Sequence, residues 1–383
     1  MRVVLLLLNC FLCISLTAKE IVLNNNIDIA KQLNTEGGNY IVKSTIDLKG
    51  KVVELPANST IIFQEGMMKN GTLVGNKSKI SYSGTIFSAV KIKGSWNIPF
   101  LHSTMFQDAQ EINVLNELIA LSDDCLTNTI YIHQGEYFVS ASANTKGAIE
   151  LRSKTKLVIN ASIKLIPNDF PGCSVISVKN VSDVTISGNG FIVGDKDAHR
   201  GKDGEWGMGI QIMNSKNVTI NGLNISNCWG DCIYIGGKSS YINIVNCNLH
   251  HARRQGISVT NACKCKIDNC KIYDIAGTAP EYGIDFESNA DCTVNTITVS
   301  NTEVYNCKGG IMAGIKGGNA ENAMVGNITI SQCYIHDLRT KNTFRWHNCS
   351  DITVTNCSID KPIEDCTFKV DAKKVKYKNV IIK

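Results

Sequence analysis

The chain has 383 residues, 43% hydrophobic but only 7% aromatic, with six prolines and a formal charge of +5. That length suits two or three ordinary domains or one long repeat array, and the scattered Lys and Arg residues give little support to a nucleic-acid partner. A weak basic balance is compatible with an anionic polysaccharide and equally with plain surface solubility.

The N-terminus, MRVVLLLLNCFLCISLTA, has one Arg, an apolar run and then Leu16-Thr17-Ala18, which is the pattern of a secretory signal over residues 1–18. Cys10 and Cys13 lie in the apolar run without the small residues a lipid-anchor site uses. Nothing later is apolar for long enough to span a membrane. The expectation is a secreted monomer, periplasmic, extracellular or at the cell surface, with no transmembrane segment.

Over residues 19–105, pieces such as NYIVKSTIDLKG and KVVELPANSTIIFQEG alternate apolar and polar and break at Gly, Asn or Pro, predicting capping β coils that cover a sheet edge. Residues 106–147 read as a helix-containing connection and first coils. Ile112, Leu115, Leu118, Ile119 and Leu121 recur at helical spacing within 106–122, and strands resume at Thr129.

Residues 148–383 are a repeat. Within 217–287 the same pattern is written three times, NVTINGLNISNCWGDCIYIGG, YINIVNCNLHHARRQGISVTN and CKIDNCKIYDIAGTAPEYGIDFE. Ile220 to Ile244 is 24 residues and Ile244 to Ile267 is 23, and Val299, Ile330 and Val354 continue the series, with Ile186 before it. Two positions after these markers stand Asn246, Asn269, Asn301, Gln332 and Asn356; three after stand Cys247, Cys270, Cys333 and Cys357. A unit this short cannot bury its own core and must stack on its neighbours. The Asn slot predicts an amide ladder in a bend. The Cys slot, which alternates with Leu223, predicts stacked, mostly unbonded thiols, with some disulfides as the alternative in an exported chain.

Three short strands per turn, with Asn in a bend and Cys or Ile inward, resemble the right-handed parallel β-helix of the pectate lyase and polygalacturonase superfamily. The implied fold is all-β, a single-stranded right-handed solenoid of 23–24-residue coils with insertions, an N-terminal β cap and one short helix.

Aligning the Gly-led strands sets Gln211, Tyr234, Ser258, Asp285 and Met312 in one outward column by the period of two, with Glu287 two residues farther along. Asp231, Arg253, Arg254, Gln255 and Tyr282 stand just before these strands. The preceding loop HRGKDGEWGMG offers His199, Glu205 and Trp206. Carboxylates, guanidinium groups and aromatic rings on one solvent-facing groove suit a sugar chain. Asp231, Arg254, Asp285 and Glu287 are the candidate catalytic residues; His199, Glu205, Trp206, Tyr234, Arg253, Gln255 and Tyr282 are the candidate substrate contacts. Their outward position predicts that Arg254→Ala leaves unfolding nearly unchanged. His250 and His251 read as turn residues.

Gly230-Asp231-Cys232-Ile233 resembles the Gly-Asp-Asp-Cys strand of polygalacturonase-type glycosidases, and Arg254-Gln255-Gly256-Ile257-Ser258 lies where that family has Gly-His-Gly-Ile-Ser. The match is incomplete: Gly230 stands at the general acid, Gln255 at the His, and Gly314-Ile315-Lys316 keeps only the end of an Arg-Ile-Lys. The resemblance implies a polysaccharide partner and three readings. The first is a lyase of an acidic, uronate-containing polysaccharide acting by β-elimination, with Arg254 or Arg253 as base or neutraliser and, as a possible cofactor, Ca²⁺ on Asp231, Asp285 and Glu287. The second is a glycoside hydrolase with a rearranged carboxylate pair, Asp231 with Asp285 or Glu287. The third is a non-catalytic carbohydrate-binding or adhesive solenoid.

Overall fold

The computed structural model describes residues 19–107, 114–122, 128–141, 147–315 and 322–383. The signal pattern of residues 1–18, the helical pattern at 108–113 and Lys316 lie outside the described residues. From Phe100 onward the chain winds through three parallel sheets of eleven, ten and nine strands. In a representative coil, Lys216–Asn221 joins the first sheet, Asn224–Ser226 the second and Ile233–Gly236 the third. Parallel neighbours need a long connection between them, and here that connection is the rest of the coil. The chain is therefore a parallel β-helix.

The repeat read from the sequence is the register of the first sheet. Ile186, Ile220, Ile244, Ile267, Val299, Ile330 and Val354 pair coil to coil, and all are fully buried. The Asn slot follows from backbone geometry. Asn246, Asn269, Asn301, Gln332 and Asn356 have φ of 57°, 52°, 49°, 55° and 53°, the left-handed region that Asn tolerates better than most side chains. Asn269 Nδ2 donates to Asn246 Oδ1 at 2.7 Å and Asn246 Nδ2 to Asn221 Oδ1 at 2.8 Å. The amide ladder is interrupted at Asn301, which donates instead to Asp268 Oδ1 at 2.8 Å, and reappears where Asn379 Nδ2 donates to Asn356 Oδ1 at 3.1 Å.

Cys247, Cys270, Cys333 and Cys357 are buried in the slot of Leu223, and all four are free thiols. One hydrophobic core runs from Leu23 to Cys366. At its N-terminal end lies a separate seven-stranded sheet built from strands between Glu20–Val22 and Phe87–Trp96. Helix Val114–Ala120 buries Val114, Leu115, Leu118 and Ile119 against it. Among the described residues no helix is long and apolar enough to cross a membrane.

The third sheet carries the outward column in the aligned register, Gln211 with Tyr234, Ser258, Asp285 and Met312. Where a glycine leads the run it faces the core: a Cβ on Gly256 would meet Ile272 Cγ2 at 2.2 Å, and one on Gly283 would meet Val304 Cγ1 at 2.4 Å. Ile257 and Ile284, which follow, are also fully buried. Two core-directed positions in succession reset the alternation. Gln255 and Tyr282 thus emerge on the same side as Ser258 and Asp285, and Asp231, before the core-facing Cys232, does likewise.

Candidate active site

The sequence predicts a solvent-facing groove; the structure sinks its centre below the surface. Asp231, Gln255 and Asp285 are 0% exposed, Ser258 1%, Tyr282 2% and Arg254 5%. Coil-to-coil ties draw the flanking loops together here. Arg253 Nη1 donates to Gly204 O at 2.7 Å, and Thr278 N donates to Arg253 O at 2.8 Å. Glu205, Tyr234 and Glu287 remain part-exposed, and Trp206 is 52% exposed at the rim.

Arg254 is the centre of charge. Its Nη1 lies 3.7 Å from Asp231 Oδ2 and its Nε 3.9 Å from Glu205 Oε1. Burial works against the charged guanidinium, but Asp231, Glu205, Asp285 and Glu287 outweigh it and hold the pKa above its ordinary value. Among the described residues, four carboxylates thus act on the Arg254 guanidinium in a largely buried site, and Glu205 also faces Arg253. Asp231 carries the consequence: burial pushes its carboxyl up to about 6, against the pull of Arg254 and Ser258 and with a further push from Glu205 and Glu287. Ser258 stands beside Asp231, yet neither carboxylate oxygen of Asp231 nor the Ser258 hydroxyl completes a hydrogen bond of ordinary geometry.

Gln255 is held at both ends. Its Oε1 accepts from Tyr282 N at 2.8 Å and its Nε2 donates to Asp285 Oδ2 at 2.9 Å. Tyr234 OH bonds Thr260 Oγ1 at 2.8 Å, and burial raises its pKa.

Arg253 and His199 are placed differently from the rest. The Arg253 guanidinium packs 3.7 Å from the Trp229 ring centroid, and His199 stacks on the same side chain at 4.0 Å. His199 Nδ1 bonds Asp195 Oδ2 at 2.9 Å, with both side chains buried. Asp195 Oδ2 also accepts from N and Nδ2 of Asn168, each at 3.0 Å. The unit Asn168–Asp195–His199–Trp229–Arg253 builds one wall of the site. Asp195 and Trp229 were not among the expected residues. Trp229 had a signal, since it stands two residues before Asp231, whereas Asp195 is marked only by its four-residue offset from His199. His250 and His251 lie elsewhere, His250 stacked on Tyr273 at 4.8 Å and His251 3.1 Å from Asp197 Oδ1.

Gly230, where the resemblance would place an acid, has no room for one. A Cβ there would meet Glu205 O at 2.4 Å, and it is the carboxylate of Glu205 that reaches Arg254 instead. Asp231, Asp285 and Glu287 do not form a metal-holding set: among the described residues no group of three His, Cys, Asp or Glu side chains is arranged to hold an ion. The surface depressions lined by Asp28, Asp47 and Lys51 and by His133, Asn160 and Asn189 lie away from this cluster.

The model of the right handed beta helix region matches residues 128–296 and 231–382. The chain belongs to this family. Among relatives of the right-handed β-helix chain, Bacillus subtilis protein YclG is 29% identical over 209 residues, covering 47% of this chain and 35% of that protein. The prophage-derived protein YorA of the same organism is 32% identical over 165 residues, covering 37% and 28%. The chain thus spans about a third of the length of the curated relatives it matches. Two solved right-handed β-helix structures share its fold at low identity. The A-module of mannuronan C-5 epimerase AlgE6 from Azotobacter vinelandii is 14% identical with a TM-score of 0.53, covering 73% of this chain and 89% of that one. The tailspike of E. coli bacteriophage HK620, a double mutant in complex with a pentasaccharide, is 14% identical with a TM-score of 0.52, covering 70% and 59%.

Proposed function

We propose that this right-handed β-helix protein is an exported, polysaccharide-active enzyme that cleaves glycosidic bonds by acid–base hydrolysis at the cluster around Arg254. The observation that carries the reading is four carboxylates facing one buried guanidinium, with Asp231 fully buried among them. An excess of negative charge in a poorly solvated site favours protonation of one member, and two carboxyl groups in opposite protonation states are what acid–base hydrolysis needs. Asp231 is the general acid in this reading. Asp285 or Glu287 is the base, and Trp206 at the rim offers a sugar-stacking face. The saccharide-linked neighbours, an epimerase of mannuronan and a tailspike bound to a pentasaccharide, support the substrate class and not the reaction.

β-Elimination fits this geometry less well. Arg254 would have to lose its proton to act as base, and its surroundings hold the proton on. The same charge excess disfavours a uronate carboxylate at the centre, so a sugar neutral at the cleaved linkage suits the site better. A panel of neutral and acidic polysaccharides tests the reading. New reducing ends without the ultraviolet absorbance of unsaturated sugars are expected. Unsaturated ends would establish the lyase reading, and tight binding without either product would establish a binding solenoid.

A further inference from the structure

The Tyr282 backbone N–H decides the orientation of the Gln255 amide. That N–H is a donor and must meet oxygen, so Oε1 points to it, at 2.8 Å, and the amide nitrogen is left facing Asp285 Oδ2 at 2.9 Å. Gln255 and Asp285 are both 0% exposed, so water does not substitute for either contact. An amide N–H can only donate, and Oδ2 must therefore accept. We propose that Gln255 is a positioning residue that holds Asp285 as a carboxylate and thereby makes Asp285, rather than Glu287, the base that works opposite Asp231.

This assignment rests on the hydrolytic reading for its meaning, but the bond it describes exists without substrate. Among the described residues, other groups around Asp285 act together with it, including Arg254 from the preceding coil, Ser258 and Met312 beside it in register, and Tyr282 and Glu287 on its own strand. Arg254 also favours the carboxylate but serves four acids at once, whereas the Gln255 donor is directed at one oxygen. A hydrogen bond to the charged form lowers proton affinity, and one to an ionised acceptor is among the stronger kinds. Sequence comparison with the glycosidase strand gives Gln255 no role, since it stands where a titrating His would be.

The test uses the full chain and two variants. Gln255→Met removes the donor at nearly constant volume. Gln255→Glu keeps the acceptor for Tyr282 N–H but sets a carboxyl against Asp285. Carbon-13 carboxyl shifts of Asp-labelled protein, with the Asp285 signal assigned by its loss in Asp285→Asn, give its titration directly. The midpoint is expected to rise by at least one pH unit in either variant, and the acidic limb of any hydrolytic pH profile to rise with it while activity returns at higher pH. An unmoved Asp285 midpoint in a folded variant overturns the proposal, whichever of the two folds. If the midpoint moves but no polysaccharide is hydrolysed by the parent protein, the hydrolytic reading fails and the Gln255–Asp285 assignment stands.

Discussion

Asp231 Oδ2 lies 3.7 Å from Arg254 Nη1, and the two side chains are 0% and 6% exposed. The pair is buried but not closed into a hydrogen bond, so Asp231 is close enough to its cation to be influenced by it and too poorly solvated to ionise as freely as a surface acid. Its proton therefore has a cost, and in the hydrolytic reading a use, and both are measurable.

Asp231→Asn should lower kcat by about 10²–10⁴-fold, the range of a lost general acid. In the parent protein, activity should fall as pH rises through about 6, where Asp231 gives up its proton. The basic limb of the pH profile checks this, and a variant that keeps that limb removes Asp231 from the acid's role.

The same proton sets a stability signature. The folded-state pKa is raised from 3.8 to about 6, so the native state binds the proton more tightly than the unfolded chain. This contribution is fully present below about pH 4 and is lost as pH rises through about 6, a change of about 3 kcal/mol. Asp231→Asn should lack that loss. Its unfolding free energy should match the parent at pH 4 and exceed it at pH 7.

Arg254→Ala should abolish turnover and also destabilise the fold, contrary to what an exposed arginine would do. Removing one partner of a buried ion pair costs about 3–5 kcal/mol because the remaining charge is uncompensated, and here the fully buried Asp231 loses its cation. Denaturant unfolding checks it. A variant as stable as the parent would mean that water reaches this centre freely.

Arg253→Ala should act on binding more than on chemistry. It removes the stack on Trp229 and the bond to Gly204 O, loosening the wall that carries His199 and Glu205. A KM increase of about 2- to 30-fold, with a smaller change in kcat, is expected, since a cation–π contact of this kind is worth about 0.5–2 kcal/mol. Equal loss of kcat and kcat/KM would instead place Arg253 at the reacting atoms.

Removal of divalent cations by a chelator should leave hydrolysis unchanged, because Asp231, Asp285 and Glu287 act on the Arg254 guanidinium and, among the described residues, do not converge on an ion site. Activity lost to the chelator and restored by Ca²⁺ would reverse this.

The sequence by itself determined the β-helix, its coil length and its register. Branched apolar residues must recur once per coil to fill a core shared between neighbours, and the left-handed bend admits Asn or Gly at a set distance from them. Both constraints are local and leave a periodic trace, so the pairing of Ile220 with Ile244 and of Ser258 with Asp285 was legible without coordinates. Burial was not. Whether Asp231 and Arg254 meet water depends on ties between residues far apart in the chain, such as Arg253 to Gly204 and His199 to Trp229, and such ties have no period. The alternation rule also carried no sign of the paired core-facing positions that turn Gln255 outward. Only the tertiary structure converted a row of candidate surface residues into a buried cluster around Arg254, and it is that burial, with a further push from Glu205 and Glu287, that sets apart the proton affinity of Asp231.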